Sequence, residues 1–129
     1  MLTQEQLEAY HKDGFVIARN VLSADVPGEL QSITHDLIEQ SRTAVVSDDV
    51  FDLDIDHTDA EPRLTRVKTP HLQHPAFWEV LTSDSVLQCL KPLIGNNIRL
   101  NNSKLNTKAG RGSKVVAPET RLPEAVLSR

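Results

Sequence analysis

The stretch Ile98-Arg-Leu-Asn-Asn-Ser-Lys-Leu-Asn-Thr-Lys108 concentrates side chains able to bind a polar ligand. Read as an extended segment, its alternation puts Asn102, Lys104 and Asn106 on one face and Ser103, Leu105 and Thr107 on the other. An amide–lysine–amide face is expensive to bury without partners. Either it lines a wet, ligand-binding cavity, or it is an exposed edge strand whose Lys and Asn discourage aggregation. Periodicity alone favours the edge strand.

Other groups offer chemistry that their surroundings do not complete. His57-Thr58-Asp59 has the His-x-Asp spacing that, with a second His, can hold non-haem iron, but it lies in an acidic loop with no second His placed beside it. Asp52, Asp54 and Asp56 imitate the start of a calcium loop. That loop needs Gly at its sixth position and Glu at its twelfth, where this chain has His57 and Arg63. His71 and His74, beside Pro70 and Pro75, lack the Cys or carboxylate partners that close a zinc site and read as helix-start residues. Cys89 falls in an apolar helical pattern and reads as a buried, inert thiol. There is no Walker-type phosphate loop and no Gly-x-Ser-x-Gly elbow.

Several elements must position these residues. Thr3 with Gln6 three residues on forms a capping box, Leu2 and Leu7 have staple spacing, and Gly14 ends the helix. Phe15-Val-Ile and Val21-Leu22 then predict a buried strand. Ser23 or Asp25 caps a second helix with Pro27 in its first turn and Leu30, Ile33, Leu37 and Ile38 as its apolar stripe. Residues 47–61, crowded with Asp and Glu, predict a solvated loop. Leu64 to Val67 reads as a short strand. Pro75 to Ile94 is helical, broken near Thr82–Asp84, with Phe77, Trp78 and Leu81 buried in its first part; Ser83 or Asp84 caps the second, whose stripe is Val86, Leu87, Leu90 and Ile94, and Gly95 ends it. Ala109 to Ser113 reads as a loop or hairpin end, and Val115-Val116 as the possible start of a strand cut short by Pro118.

A chain of 129 residues fits one domain with a modest, mainly aliphatic core, since aromatics make up only 4%. Its net charge of −4 is unevenly spread: residues 1–98 carry seven Lys/Arg against sixteen Asp/Glu, and residues 99–129 seven against two. A single cysteine excludes an intramolecular disulfide and suits a reducing compartment. With no leader pattern and no apolar run of spanning length, the expectation is a soluble, cytoplasmic chain without a membrane partner.

The order of these pieces resembles the first part of the phytanoyl-CoA dioxygenase-like oxygenases. The matching pieces are an opening helix, Asp13-Gly14 and strand, a second helix, the segment Arg66-Val-Lys-Thr-Pro-His-Leu72, a His74-Pro75 helix and a strand of the Ser103-Lys-Leu-Asn106 type. The resemblance covers residues 2–118. It implies an α+β chain: an N-terminal helical portion plus the first strands of an incomplete double-stranded β-helix (jelly-roll) fold. On that reading residues 1–118 are the N-terminal part of the family domain, and 119–129 a non-family, disordered tail such as a frameshift, alternative splice or premature stop would leave.

The family uses Fe(II) and 2-oxoglutarate to hydroxylate a small organic substrate, with two His and one carboxylate on the iron. The first His-x-Asp pair should follow Pro118, where Glu119-Thr120-Arg121 stands. The resemblance therefore implies no metal ligand and no catalytic residue here, and a chain that binds neither cofactor productively and lacks turnover. The positions matching those that family proteins place near 2-oxoglutarate are Lys104 and Arg66, with Lys68 as substitute. A cation suits an anionic co-substrate, and Arg can grip a carboxylate through two parallel bonds; solvated surface cations are the competing reading. The alternative function is a non-enzymatic interaction module using the acidic loop 48–61 or the basic C-terminal segment. Against nucleic acid, residues 99–129 contain no Phe, Trp or Tyr to stack on bases. A third outcome is a chain made unstable by the unpaired edge of its last strand.

Overall fold

Thr3 starts the first helix, α1 (Gln4–Asp13), with a complete capping box. The Gln6 amide donates to Thr3 Oγ1 at 3.2 Å, and the Thr3 amide to Gln6 Oε1 at 2.9 Å. Gly14, at φ 83°, ends the helix in the left-handed region that glycine enters without steric cost. The computed structural model describes residues 1–107 and 125–128. The expected loop at 109–113, the Val115-Val116 pair and Glu119-Thr120-Arg121 lie outside the described residues.

β1 (Phe15–Ala18) is shorter than its sequence suggests. Val16 and Ala18 are buried while Phe15 is half exposed, so the strand alternates rather than being buried throughout. It stops before Val21 because Asn20 turns the chain at φ 55°, a conformation Asn tolerates. β1 pairs antiparallel with β5 (Ala125–Ser128), Phe15 opposite Ser128 and Ala18 opposite Ala125. Periodicity in that segment predicts no further element. A four-residue run suffices because the unpaired backbone of β1 is itself a template for another strand.

α2 (Val26–Gln40) presents Leu30, Ile33, Leu37 and Ile38 as one stripe, and Leu37 is buried. Asp25 makes no side-chain cap; a hydrogen bond from Ser23 instead holds its carboxyl below the usual range. Ser41, fully buried just past the helix, donates its hydroxyl to Ile38 O at 2.7 Å. The stripe faces a three-stranded antiparallel sheet of β2 (Phe51–Leu53), β3 (Leu64–Lys68) and β4 (Lys104–Asn106), in that order. Phe51 lies opposite Val67 and Val67 opposite Leu105 on the inner face. With Leu37, Leu64 and Phe77, Phe51 and Val67 form the core, and Leu105 packs against it.

β2 corrects the expectation of a solvated loop over 47–61. Asp48 Oδ1 accepts the amides of Val50 and Phe51 at 2.7 and 2.6 Å, which folds the chain back so that Phe51 enters the core. Charge density predicts solvation of the segment as a whole and misses one aromatic anchor. The same two amides, Phe51 first, hold the Asp48 carboxyl below the ordinary carboxylate range, with Lys68 adding to them. A carboxyl of depressed folded pKa contributes stability above its unfolded pKa and loses it as pH falls through the folded value. The melting temperature should therefore drop below about pH 4. Asp48→Ala should lower it at neutral pH and flatten its acid limb; thermal melts across pH 3–7 check both.

Three helices follow β3: α3 (Pro70–Gln73), α4 (Pro75–Thr82) and α5 (Asp84–Ile94). His74 starts α4 by accepting the Ala76 amide at Nδ1, 3.3 Å, and Ser83 starts α5 by accepting from Val86 at 3.4 Å. Phe77 is buried, but Trp78 is 47% exposed, contrary to the sequence reading. Neighbouring residues on a helix point about 100° apart, and the core takes Phe77. Ile94, also expected inside, is exposed, while Cys89 is buried as expected. Among the described residues no helix is long and apolar enough to cross a membrane. The architecture is α+β.

Candidate functional site

The outer face of the β2–β3–β4 sheet carries the polar side chains that the inner face excludes. Asp52 lies opposite Arg66, Arg66 opposite Asn106, and Lys68 opposite Lys104. Directly opposed residues in antiparallel strands share a face, so three cations, one carboxylate and one amide meet here. Arg66 Nη1 is 3.5 Å from Asp52 Oδ2, and Lys68 Nζ is 2.7 Å from Asp52 Oδ1. Lys68 Nζ also donates to Asp48 O at 2.6 Å, and Arg66 Nε to Asn106 Oδ1 at 3.3 Å. Lys104 is exposed and has no polar partner among the described residues. Like charges directly opposed across strands repel, and Asp52 offsets part of that repulsion by pairing with Lys68. An open, cationic sheet face of this kind can accept a small anion.

The ends of β4 are pinned, which fixes where Lys104 stands. The Thr69 amide donates to Ser103 O at 3.1 Å, and His71 Nδ1 lies 2.5 Å from Ser103 Oγ. On the far side the Thr107 amide donates to Thr65 O at 3.1 Å, and the Thr107 hydroxyl to Leu64 O. Thr69 takes φ 45°, an unusual value for a β-branched residue. It ends β3 and begins the turn that reaches Ser103.

The structure brings Arg66 and Lys104 to one face of adjacent strands, diagonal to each other, and Lys68 closer to Lys104 than Arg66 is in register. The regular strand is only Lys104–Asn106, so Asn102 lies outside it. β4 is the edge of its sheet among the described residues, with Lys104 and Asn106 exposed, as the edge-strand reading has it. Sequence reasoning missed Asp52 as a member of this face. Its only signal was the alternation of Asp52 and Leu53 beside Phe51, hidden in the acidic run.

The remaining candidates are used structurally. His57 Nδ1 lies 2.9 Å from both the amide and the carbonyl oxygen of Arg63, and its Nε2 is buried without a hydrogen-bond partner among the described residues. Thr58 Oγ1 accepts the Glu61 amide at 3.0 Å, so His57-Thr58-Asp59 belongs to a closed turn. Asp54 Oδ1 accepts the Asp56 amide at 3.0 Å, and Asp52 is held by Arg66 and Lys68, so the three aspartates do not converge. His71 and His74 are engaged at Ser103 and Ala76. Arg42 ties α2 to the acidic loop, donating to Glu39 at 2.6 Å, to Ala60 O at 3.1 Å and to Asp59 O. Beside it an open cavity of about 700 Å³ is lined by Arg42, Val46, Leu53, Ile55 and His57.

No family model matches the chain. Over 114 residues, 86% of its length, it is 31% identical to the probable alpha-ketoglutarate-dependent hypophosphite dioxygenase of Stutzerimonas stutzeri. The chain spans 39% of that relative's length. The similarity supports a relationship to 2-oxoglutarate-dependent dioxygenases. Among the described residues no group of three or more His, Cys, Asp or Glu is arranged to hold a metal ion, so these residues do not fit an iron site. The cations of the outer sheet face carry the charge sign that an anion requires.

Proposed function

We propose that this chain is the N-terminal part of a 2-oxoglutarate-dependent dioxygenase of the phytanoyl-CoA dioxygenase-like kind, with residues 1–118 as its family portion. On this reading β2, β3 and β4 are the first strands of a double-stranded β-helix, and the outer sheet face contributes Lys104 and Arg66 to the 2-oxoglutarate side. The observation that carries it is the placement of Arg66 and Lys104 on one face of adjacent strands. The similarity to an alpha-ketoglutarate-dependent dioxygenase supports it independently. The substrate is a small molecule; the relative is named for hypophosphite, itself a small anion.

In such an enzyme Fe(II) supplies the oxidising chemistry with 2-oxoglutarate. On this reading no turnover is expected from the chain alone. What the described residues do is bind and orient: Lys104 offers an exposed ammonium, and Arg66 a planar guanidinium able to grip a carboxylate through two bonds.

Titration of the full chain with 2-oxoglutarate at low ionic strength tests the reading. Saturable amide shifts are expected at Arg66–Lys68 and Lys104–Asn106 in heteronuclear NMR spectra. Lys104→Gln and Arg66→Gln should each weaken binding by about tenfold, as loss of one charge-assisted hydrogen bond does. No saturable shift at either strand would sink the assignment. Incubation with Fe(II), ascorbate and 2-oxoglutarate should yield no succinate above a metal-only control. Succinate that disappears in His57→Ala would overturn the absence of turnover.

A further inference from the structure

We infer that Asp52 is the built-in counter-ion of the cationic sheet face: its carboxylate occupies ground that a bound oxyanion would share, and so sets how tightly that face takes one. The inference rests on the reading of this face as an anion site. Asp52 splits its two oxygens between two cations, Oδ1 to Lys68 at 2.7 Å and Oδ2 to Arg66 at 3.5 Å. That is the arrangement a ligand carboxylate or phosphorus oxyanion would adopt between the same side chains. Lys104, directly opposite Lys68, has no polar partner among the described residues. Among the described residues three cations therefore share one carboxylate on this face, and the unpaired charge is that of Lys104.

Two features argue that Asp52 is aimed at this face and is displaceable there. The β2–β3 register shifts between Asp52 and Leu53, and such irregularities re-aim a side chain. The Thr65 hydroxyl secures the irregularity by donating to Asp52 O at 3.2 Å. The backbone of β2 is held separately, by Asp48 and by the burial of Phe51, so the Asp52 carboxylate is not needed to dock the strand. Its side chain remains 27% accessible, and those of Lys68 and Arg66 35% and 43%. Ion pairs this open contribute little and exchange readily. An oxyanion held by Lys104 would compete with Asp52 for Lys68 and Arg66. The ligand class is a small oxyanion; 2-oxoglutarate and inorganic phosphate distinguish a carboxylate from a phosphorus oxyanion.

The test compares the full chain with Asp52→Asn and Lys104→Gln, titrated with each anion at low ionic strength, where surface charge is least screened. Asp52→Asn should bind at least one of the two anions about tenfold more tightly, because a competing charge a few ångströms away is gone. Lys104→Gln should bind it more weakly. The anion that responds identifies the class. Independently of any variant, the Asp52 carboxyl carbon of the unaltered chain should shift on saturation as Lys68 leaves it. Unchanged or weaker binding by Asp52→Asn, with no shift of that carboxyl, overturns the role of Asp52 while the loss in Lys104→Gln preserves the anion face. If neither anion binds the unaltered chain or Asp52→Asn, the face and the counter-ion fall together.

Discussion

Phe77→Ala is expected to cost about 3–5 kcal/mol of folding stability, whereas Trp78→Ala, one residue further on, should cost less than about 1 kcal/mol. Phe77 is 9% exposed and joins α4 to the core of Leu37, Phe51, Leu64 and Val67. Removing the ring leaves a cavity in that cluster, whose other members are fixed on α2, β2 and β3. Trp78, at 47% exposure, lies at the edge of the packed region and loses a tilted ring contact with His71 at 6.0 Å. A domain of this size has a total stability of about 5–15 kcal/mol, so the first substitution removes a large share of it. Urea denaturation of the two variants checks the contrast. Phe77→Ala should lower the midpoint sharply with an unchanged slope, since that slope follows the surface exposed on unfolding. A larger loss in Trp78→Ala would mean that the core lies on the other side of α4.

That contrast also shows where the sequence was legible and where it was not. Helix ends are readable where a side-chain cap forms, because a cap is a local event; α2, which Asp25 does not cap, is the exception. Thr3 with Gln6, Gly14, His74, Ser83 and Gly95 each act on backbone groups within a few residues. Helix faces were readable only as stripes, and a stripe does not say which of two adjacent aromatics the core accepts. Strand lengths and partners were harder still. The end of β1 depends on the turn at Asn20, and β2 depends on Asp48 folding Phe51 inward against a charge-rich background. For the candidate site, Arg66 and Lys104 carried a family pattern that pointed to them singly. Their adjacency, and the membership of Asp52, exist only once the β2–β3 and β3–β4 registers are set. No local signal encodes a cross-strand register between segments this far apart in the chain.

Gly95→Ala and Gly28→Ala should move stability in opposite directions, although an added Cβ meets no atom within 4 Å at either position. Gly95 adopts φ 90° and ψ 178°, a region essentially closed to residues with a Cβ. Alanine there should cost about 1–3 kcal/mol. Gly28 lies inside α2, where alanine should gain about 0.5–1 kcal/mol by restricting the unfolded chain and favouring helix. Sterics being equal, the sign is set by backbone conformation alone, and paired thermal melts read it directly. The two variants also separate stability from the site. Gly95 turns the chain out of α5 into the segment that delivers Ser103 to its bonds with Thr69 and His71, and hence Lys104 to its place opposite Lys68. If Gly95→Ala relieves its strain by shifting that segment, anion-induced shifts at Lys104 should weaken in the folded protein, while Gly28→Ala leaves them unchanged. A neutral Gly95→Ala would show that the chain reaches β4 by a route open to any residue, and the pinning of β4 would then not depend on that turn.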